Sequence, residues 1–489
     1  MRKPAPSEKL SYARHGLRFR GTAVNTISSH VAAARGTAQT GIRHPPGPKG
    51  LPVIGGLLPF LKNPMEAITS IAREYGGIAR VPIRGKYLYI VSDPEMLKEM
   101  LVAHRQKYMK NVRYRHIQAL LGQGLLLSEA AEWRRQRVIT QPAFKPEAID
   151  SQMGWMATYT DQFLDRWSAR AARGETFDIE PEFGRLAQCL SGRYLLGEPF
   201  DEIADEFCSI ASAVKEHWPQ APRNLVRAFI PLSKEKIARF DAAIAALDEI
   251  VRRFITQHRA TDFENCGVLK RIVMASRAEG PEFDDKSLRD QISTLFFAGH
   301  ETSATGLCWI HWALSRHPAI RTKMLQELAS LNGRLPTAAD LHNLTYTGQI
   351  IDESLRLHSP IHSISRVALV DDTIGGYHIP VGATVCVSMY AVHRLAHLWP
   401  DPETFDPSRF EPEKVAQRSR FAYLPFAAGH RNCIGAGQAL LELRLIVARI
   451  AQRYTLELAP GQKIEPAPGT TMYPRYGMKM RITPATVPA

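Results

Sequence analysis

The chain has 489 residues, of which 45% are hydrophobic, and a formal net charge of +14. That length admits one large domain or several smaller ones, and the hydrophobic share is ordinary for a globular protein. No apolar run reaches the roughly 20 residues that a membrane-spanning helix needs, since the best stretch, Leu51 to Leu58, is broken by Pro52, Gly55 and Gly56; no transmembrane anchor is expected. The six cysteines, Cys189, Cys208, Cys266, Cys308, Cys386 and Cys433, are scattered and include no CxxC pair. This argues against a disulfide framework and for a reducing compartment such as the cytoplasm.

Half of the charge is local. Residues 1–44 hold eight Lys/Arg and one acid, Glu8, without sustained apolar periodicity. This reads as a basic, disordered N-terminal arm. An acid-poor, Arg- and Ser-containing start also fits an organelle transit peptide, which would send the remainder to the mitochondrial matrix. An uncleaved tail without an address is the other reading. Pro45-Pro-Gly-Pro48 cannot be helical, because proline removes donors and restricts its neighbours. It marks a stiff hinge where the arm gives way to one large domain over 45–489.

The domain begins with a helical stretch, Pro64 to Tyr75, and strand-like runs at Ile78–Ile83 and Tyr87–Val91. Asp93-Pro94 opens a further helix with a capping residue and a first-turn proline. Helical patterns then dominate, at Ala130–Ile139, Pro146–Ala172, Ile179–Leu196, Ile203–Trp218, Ser233–Ala260 and Gly267–Ala278. The longest, Asp284 to His317, is apolar in its middle and belongs in the core. Ala319–Leu331, Ala338–Asn343 and Thr347–Leu357 continue the helices, and Ser365–Val370, Tyr377–Ile379 and Thr384–Ser388 read as strands. From His393 to Leu424 there is little periodicity and much proline; a helix from Ala436 to Tyr454 and strands at Thr455–Leu458 and Met478–Ile482 close the chain. The fold class is mainly α with small β-sheets at both ends.

Five segments carry chemistry. Phe426-Ala-Ala-Gly-His-Arg-Asn-Cys-Ile-Gly435 places Cys433 in a loop of small residues that runs into a helix. Backbone N–H groups at such an entry stabilise negative charge, and the glycines let the backbone pass close to a flat, bulky partner. Cys433 is therefore read as an axial thiolate ligand to haem iron, against the plainer reading of a buried free cysteine. In the long helix, Ala298-Gly-His-Glu-Thr-Ser303 sets a glycine and an acid–alcohol pair among apolar residues. Gly299 weakens the helix, Glu301 is unfavourable to bury, and Thr302 can bond back to the carbonyl one turn earlier and open the helix for water. A solvent-facing Glu-Thr pair is the alternative. Glu353-Ser-Leu-Arg356 pairs opposite charges at i,i+3, Trp133-Arg-Arg-Gln-Arg137 puts an indole and a guanidinium one turn apart, and Phe405-Asp-Pro-Ser-Arg-Phe410 carries Arg409 in a turn-like segment. Each of the last three is weak alone: a surface ion pair, a basic helix and a turn would look the same.

In this order and spacing the segments resemble the cytochrome P450 family of haem-thiolate proteins, over about residues 45–485. Phe426, Gly429, Arg431, Cys433 and Gly435 fit the family's FxxGxRxCxG pattern at every fixed position. The resemblance implies the P450 fold, with Cys433 as proximal iron ligand and Arg431 as a haem propionate partner. It implies oxygen activation at Ala298, Gly299, Glu301 and Thr302, a buried ionic network of Glu353, Arg356 and Arg409, and propionate contacts from Trp133, Arg137 and Arg366. Ala427 and Ala428 stand where glycine is frequent in this loop, and Ala131 where glycine often precedes the tryptophan. The missing anchor is like bacterial or mitochondrial members.

The implied activity is a haem b monooxygenase that inserts one oxygen atom from O2 into a hydrophobic small molecule. Oxidative coupling without oxygen insertion and a non-catalytic haem- or ligand-binding protein are the alternatives. No GxGxxG opens a βαβ unit, and only 56 residues follow Cys433. Electrons from NAD(P)H are therefore expected through a separate ferredoxin or flavodoxin-type partner and its reductase, with Arg134, Arg135, Arg418 and Arg420 as a docking patch for an acidic surface. Nucleic acid is not an expected partner. The substrate pocket is expected around Tyr114–Leu127, Phe296, Phe297, Ile361, His362, Ser363 and Ile364.

Overall fold

The structure, a computed structural model, describes residues 42–50, 55–83, 85–110, 117–197, 200–217, 234–260, 267–278 and 283–485. The chain divides into two units, 1–43 and 44–489. Nearly all of the expected basic arm lies outside the described residues. Every helix and strand among the described residues belongs to the second unit.

Helix starts follow their caps. Asn63 accepts from the Glu66 N–H ahead of Pro64–Tyr75, Asp93 accepts from Glu95 and Met96, and Asp178 accepts from Glu180 ahead of Ile179–Leu196. Asp284 does the same for Ser287 at the head of the long helix, Asp285–Arg316. Each cap satisfies donors that the first turn leaves open. One helix differs from expectation. The pattern over 146–172 splits into Pro146–Asp165 and Ser168–Ala172. Trp167 sits at the break, fully buried among Phe163, Phe177, Phe183 and Tyr454, with its indole N–H on Glu182. Burial of a whole indole outweighs the loss of regular helix at two residues, Arg166 and Trp167.

The long helix is the axis of the core. Leu307, Cys308, Trp309 and Ile310 are fully buried. They share one apolar cluster with Ile179–Leu190 on one side and with Leu443–Ile450 of the helix Ala436–Arg453 on the other. A second cluster gathers Phe200, Phe207, Phe254, Leu295 and Phe296.

The small sheets are not separate at the two ends. Strands Ile78–Ile83, Lys86–Val91, Thr384–Val387, Ile364–Ala368 and Tyr108–Lys110 form one five-stranded sheet in that order. Its central pairing, Leu88 opposite Thr384, is parallel, and the others are antiparallel. Sequence distance concealed this joint, because strands nearly 300 residues apart give no local signal of their partnership. Thr176–Asp178, Lys479–Pro484 and Tyr454–Leu458 make a three-stranded sheet, and Pro466–Pro468 with Met472–Pro474 makes a small hairpin.

Candidate haem-thiolate site

The cysteine loop closes on itself: the Cys433 N–H donates to the Phe426 carbonyl at 3.0 Å and the Ala427 N–H to Leu424 at 3.1 Å. Gly429 has φ +74°, and a Cβ there would lie 2.4 Å from the Leu101 carbonyl oxygen. No other residue type fits that position. Ala427, where glycine is frequent in the family, also takes a positive φ of 56°, a left-handed conformation that disfavours alanine by about 1 kcal/mol. The loop geometry is thus held although one small residue resists it. Phe426 packs on the main core, and Gly435 heads the helix Ala436–Arg453. Cys433 is accessible to solvent yet surrounded by protein on most sides. Desolvation raises its thiol, and the Gly435 N–H and the Arg137 guanidinium act against this. Arg137 grips the same loop, donating to the Asn432 carbonyl at 3.0 Å and to its side-chain oxygen at 3.3 Å.

Beside the loop, Arg105, Lys110, Arg366, His430 and Arg431 converge on one recess with a single carboxylate, Glu129. Arg431 stacks on Trp133 at 4.2 Å and pairs with Glu129, but its Nη1 is buried without a hydrogen-bond partner. His430 meets the Trp133 ring edge-on. Lys110 and Arg366 are direct cross-strand neighbours in the sheet. Like charges placed so are destabilising unless an anion lies with them. Burial, then Arg431 and Arg366, push Lys110 down to about 7, and burial brings Arg431 down to about 10. The sequence reading missed Arg105, Lys110, Glu129 and His430. Lys110 is revealed by the ladder register and the other three by the folding of separate loops and turns onto one recess, neither of which a sequence shows.

This charge predicts a pH dependence. Lys110 has an ordinary value of 10.5 and a folded value of about 7. Between those values the unfolded chain binds the extra proton, so the haem-free protein gains stability as pH rises through the window. We expect its melting temperature to climb by a few degrees from about pH 7 to about pH 9. Lys110→Met should flatten the climb relative to wild type, and haem should remove it. Parallel curves for wild type and Lys110→Met would refute the assignment.

On the long helix, Thr302 donates to the Ala298 carbonyl at 2.8 Å, as the sequence suggested, but the helix runs unbroken from Asp285 to Arg316 and does not open there. Ala298 is exposed, and Glu301 and Thr302 are half-buried on a helix otherwise packed into the core. Gly299 has a different use from the expected weakening. A Cβ there would meet Ser191 Oγ at 3.1 Å, so the glycine allows two long helices to approach. Glu301 accepts a hydrogen bond from Thr471 at 3.1 Å.

The Glu353–Arg356 pair is not a surface pair. Both side chains are 0% exposed, joined by two bonds of 2.6 and 2.7 Å. Arg356 also donates to the carbonyls of His393, Pro402 and Thr404, and Arg409 lies 3.5 Å from Glu353. Arg418, expected in a docking patch, belongs here instead: it stacks on Trp399 at 4.0 Å and on Phe410, and donates to the Arg409 carbonyl. Its charge serves the aperiodic segment, which needs such ties because it lacks regular ladders. Arg135 lies over the Phe283 ring, whereas Arg134 and Arg420 are exposed.

Of the expected pocket, Tyr114 to His116 lie outside the described residues. The loop beyond them is fastened to the long helix, where Asp290 accepts from the Gln123 N–H at 2.7 Å. Phe296 and Phe297 form an aromatic group with His300, and Phe296 also meets Phe200 and Phe207. Ile361 packs beside the five-stranded sheet, and Ile364 opens one of its strands. His362 is pushed down to about 4 by burial, against a contact with the Gly469 backbone, and lies 3.0 Å from Ser363 Oγ.

Among the described residues no three His, Cys, Asp or Glu stand together. A metal at Cys433 finds one protein ligand there, which suits a metal whose other ligands belong to a prosthetic group. Haem meets the remaining requirements, since its carboxylates answer the surplus cations and its iron answers the thiol. The class is that of the haem-thiolate oxidoreductases. The chain belongs to the cytochrome P450 family, whose model matches residues 45–482. It is 31% identical over 433 residues to cyclooctatin synthase of Streptomyces melanosporofaciens, covering 87% of this chain and 93% of that protein. It is 31% identical over 431 residues to cyclooctat-9-en-7-ol 5-monooxygenase of the same organism, covering 87% and 90%. Among solved structures, the cytochrome P450DA heme domain superposes with a TM-score of 0.82 at 26% identity, over 91% of this chain and 99% of that one. The protein is a haem-dependent monooxygenase that acts on a hydrophobic substrate with electrons from a redox partner. No helix among the described residues is long and apolar enough to cross a membrane.

Proposed function

We propose that this chain inserts one oxygen atom from O2 into a cyclic hydrocarbon or alkenol of terpene type. A relative at 31% identity is named for a cyclic alkenol, and the aromatic group around Phe296 and Phe297, with Ile361 and Ile364, suits an apolar ring system. The observation that carries the mechanism is the accessible acid–alcohol pair on an otherwise buried helix.

Haem b, when bound, supplies dioxygen activation and oxygen transfer. Cys433 would hold its iron, and Lys110, Trp133, Arg366 and Arg431 would hold its carboxylate edge. The sequence has no CxxCH, so no thioether link is expected. Arg137 fixes the cysteine loop through Asn432. Thr302 gives its own proton to Ala298, which leaves its oxygen able to accept from water. Glu301, one residue before it, is the proton source that such a water needs. Phe296 and Phe297 keep the surroundings dry. Electrons come from a separate ferredoxin or flavodoxin, docking on a smaller basic patch than the sequence suggested, with Arg134 and Arg420 at its exposed points.

The test is a spectral binding screen of cyclic terpenes, followed by turnover with surrogate partners and product mass. A gain of one oxygen supports the reading, and a loss of two hydrogens refutes it. Thr302→Ala should retain haem and lose about 10-fold or more in coupled product, with released hydrogen peroxide rising to match. A Thr302→Ala variant as well coupled as wild type would remove Thr302 from the mechanism.

A further inference from the structure

The hairpin of Pro466–Pro468 and Met472–Pro474 carries at its turn a buried threonine, Thr471. Three bonds fasten this turn without using the Thr471 side chain. The Met472 N–H donates to the Pro360 carbonyl at 2.7 Å, the Trp309 indole N–H donates to the Met472 carbonyl at 2.7 Å, and the Gly469 N–H donates to the Thr471 carbonyl at 3.0 Å. The hydroxyl of Thr471 is thereby placed by backbone. It accepts from Thr305 Oγ1 at 3.3 Å and donates to Glu301 Oε1 at 3.1 Å. Thr305 lies four residues beyond Glu301 on the same helix, so the three side chains form a directed run of hydroxyl protons that ends on the carboxylate. No salt bridge holds Glu301 among the described residues. A glutamate with free torsions samples several rotamers, and proton transfer needs the carboxylate within hydrogen-bond reach of its water.

We propose that Thr471 is a positioning residue for proton delivery: it fixes the direction of the Glu301 carboxylate and ties that direction to the wall of the substrate pocket. The inference rests on the role given to Glu301 above. The tie is physical. The same turn meets His362 through Gly469 and is anchored on Pro360, next to Ile361. A substrate pressing on this wall acts on Thr471, and through it on the acid.

The experiment uses the haem-loaded full chain as wild type, Thr471→Val, Thr471→Ser, Glu301→Ala and the Thr471→Val/Glu301→Ala double variant. Two readouts are taken. The first is the share of consumed dioxygen released as hydrogen peroxide, driven by a surrogate ferredoxin, its reductase and NADPH with no added substrate. The second is the melting temperature of each variant. Thr471→Val should raise the peroxide share at least about twofold, Thr471→Ser should restore it, and the double variant should equal Glu301→Ala. The melting shifts of Thr471→Val and Glu301→Ala should fail to add in the double variant. If Glu301→Ala leaves the peroxide share unchanged, the reading of Glu301 falls and this inference falls with it. If Glu301→Ala raises it but Thr471→Val does not, the inference alone is overturned. It is also overturned if Thr471→Val lowers the melting temperature equally with and without Glu301 while the peroxide share stays put, since that is the mark of a merely structural hydroxyl.

Discussion

Cys433→Ser should remove oxygenation by three orders of magnitude or more, equivalent to about 4 kcal/mol in the barrier. The reason is local. The thiol is the accessible sulfur in a loop whose Gly435 N–H and Arg137 favour its ionised form. Serine keeps the size and the loop but not the soft, electron-rich ligand that favours O–O cleavage. The cation recess is untouched, so the variant should still take up haem. The carbon monoxide complex of the reduced protein should then absorb away from the position that marks a thiolate ligand. A variant that kept that band would show that another residue holds the iron.

The second large effect concerns stability. Arg356→Leu should lower the stability of the folded chain by about 3–5 kcal/mol, against a total that is ordinarily only about 5–15 kcal/mol. The substitution strips two bonds from Glu353 and leaves the carbonyls of His393, Pro402 and Thr404 without this donor. Arg409, at 3.5 Å and itself tied to Asp401, cannot replace a two-pronged contact. Arg356→Lys should fall between, because an ammonium keeps the charge but not the fork. Melting curves of the haem-loaded proteins decide it. A Leu variant within a degree or two of wild type would mean that the network is decorative.

Elements governed by local rules were legible. Pro64–Tyr75, Ile78–Ile83, Ile179–Leu196 and Ala338–Asn343 were readable to the residue, because a cap, a proline or a change of period marks each end. What escaped was set by distant partners. Nothing near Trp167 says that the helix must break, since its reason is a set of aromatic rings gathered around it by the fold. The hairpin around Thr471 is edged by prolines and pairs only with itself, so strand patterns do not flag it. For the site, the motif residues were visible by spacing. Lys110 was not, because its meaning comes from standing opposite Arg366. Arg418 was misread because an arginine in a proline-rich stretch looks solvated until Trp399 and Phe410 are seen beneath it.

The five-stranded sheet has a consequence for assembly. Its strands come from both halves of the chain, with Lys86–Val91 beside Thr384–Val387 and Tyr108–Lys110 beside Ile364–Ala368. Such distant partners make for slow closure and cannot meet until most of the chain has left the ribosome. The last-named pairing also brings Lys110 against Arg366, so the sheet closes against a repulsion. A bound dicarboxylate would offset that repulsion. Cofactor uptake is therefore expected to strengthen the completed sheet late in the biogenesis of this chain.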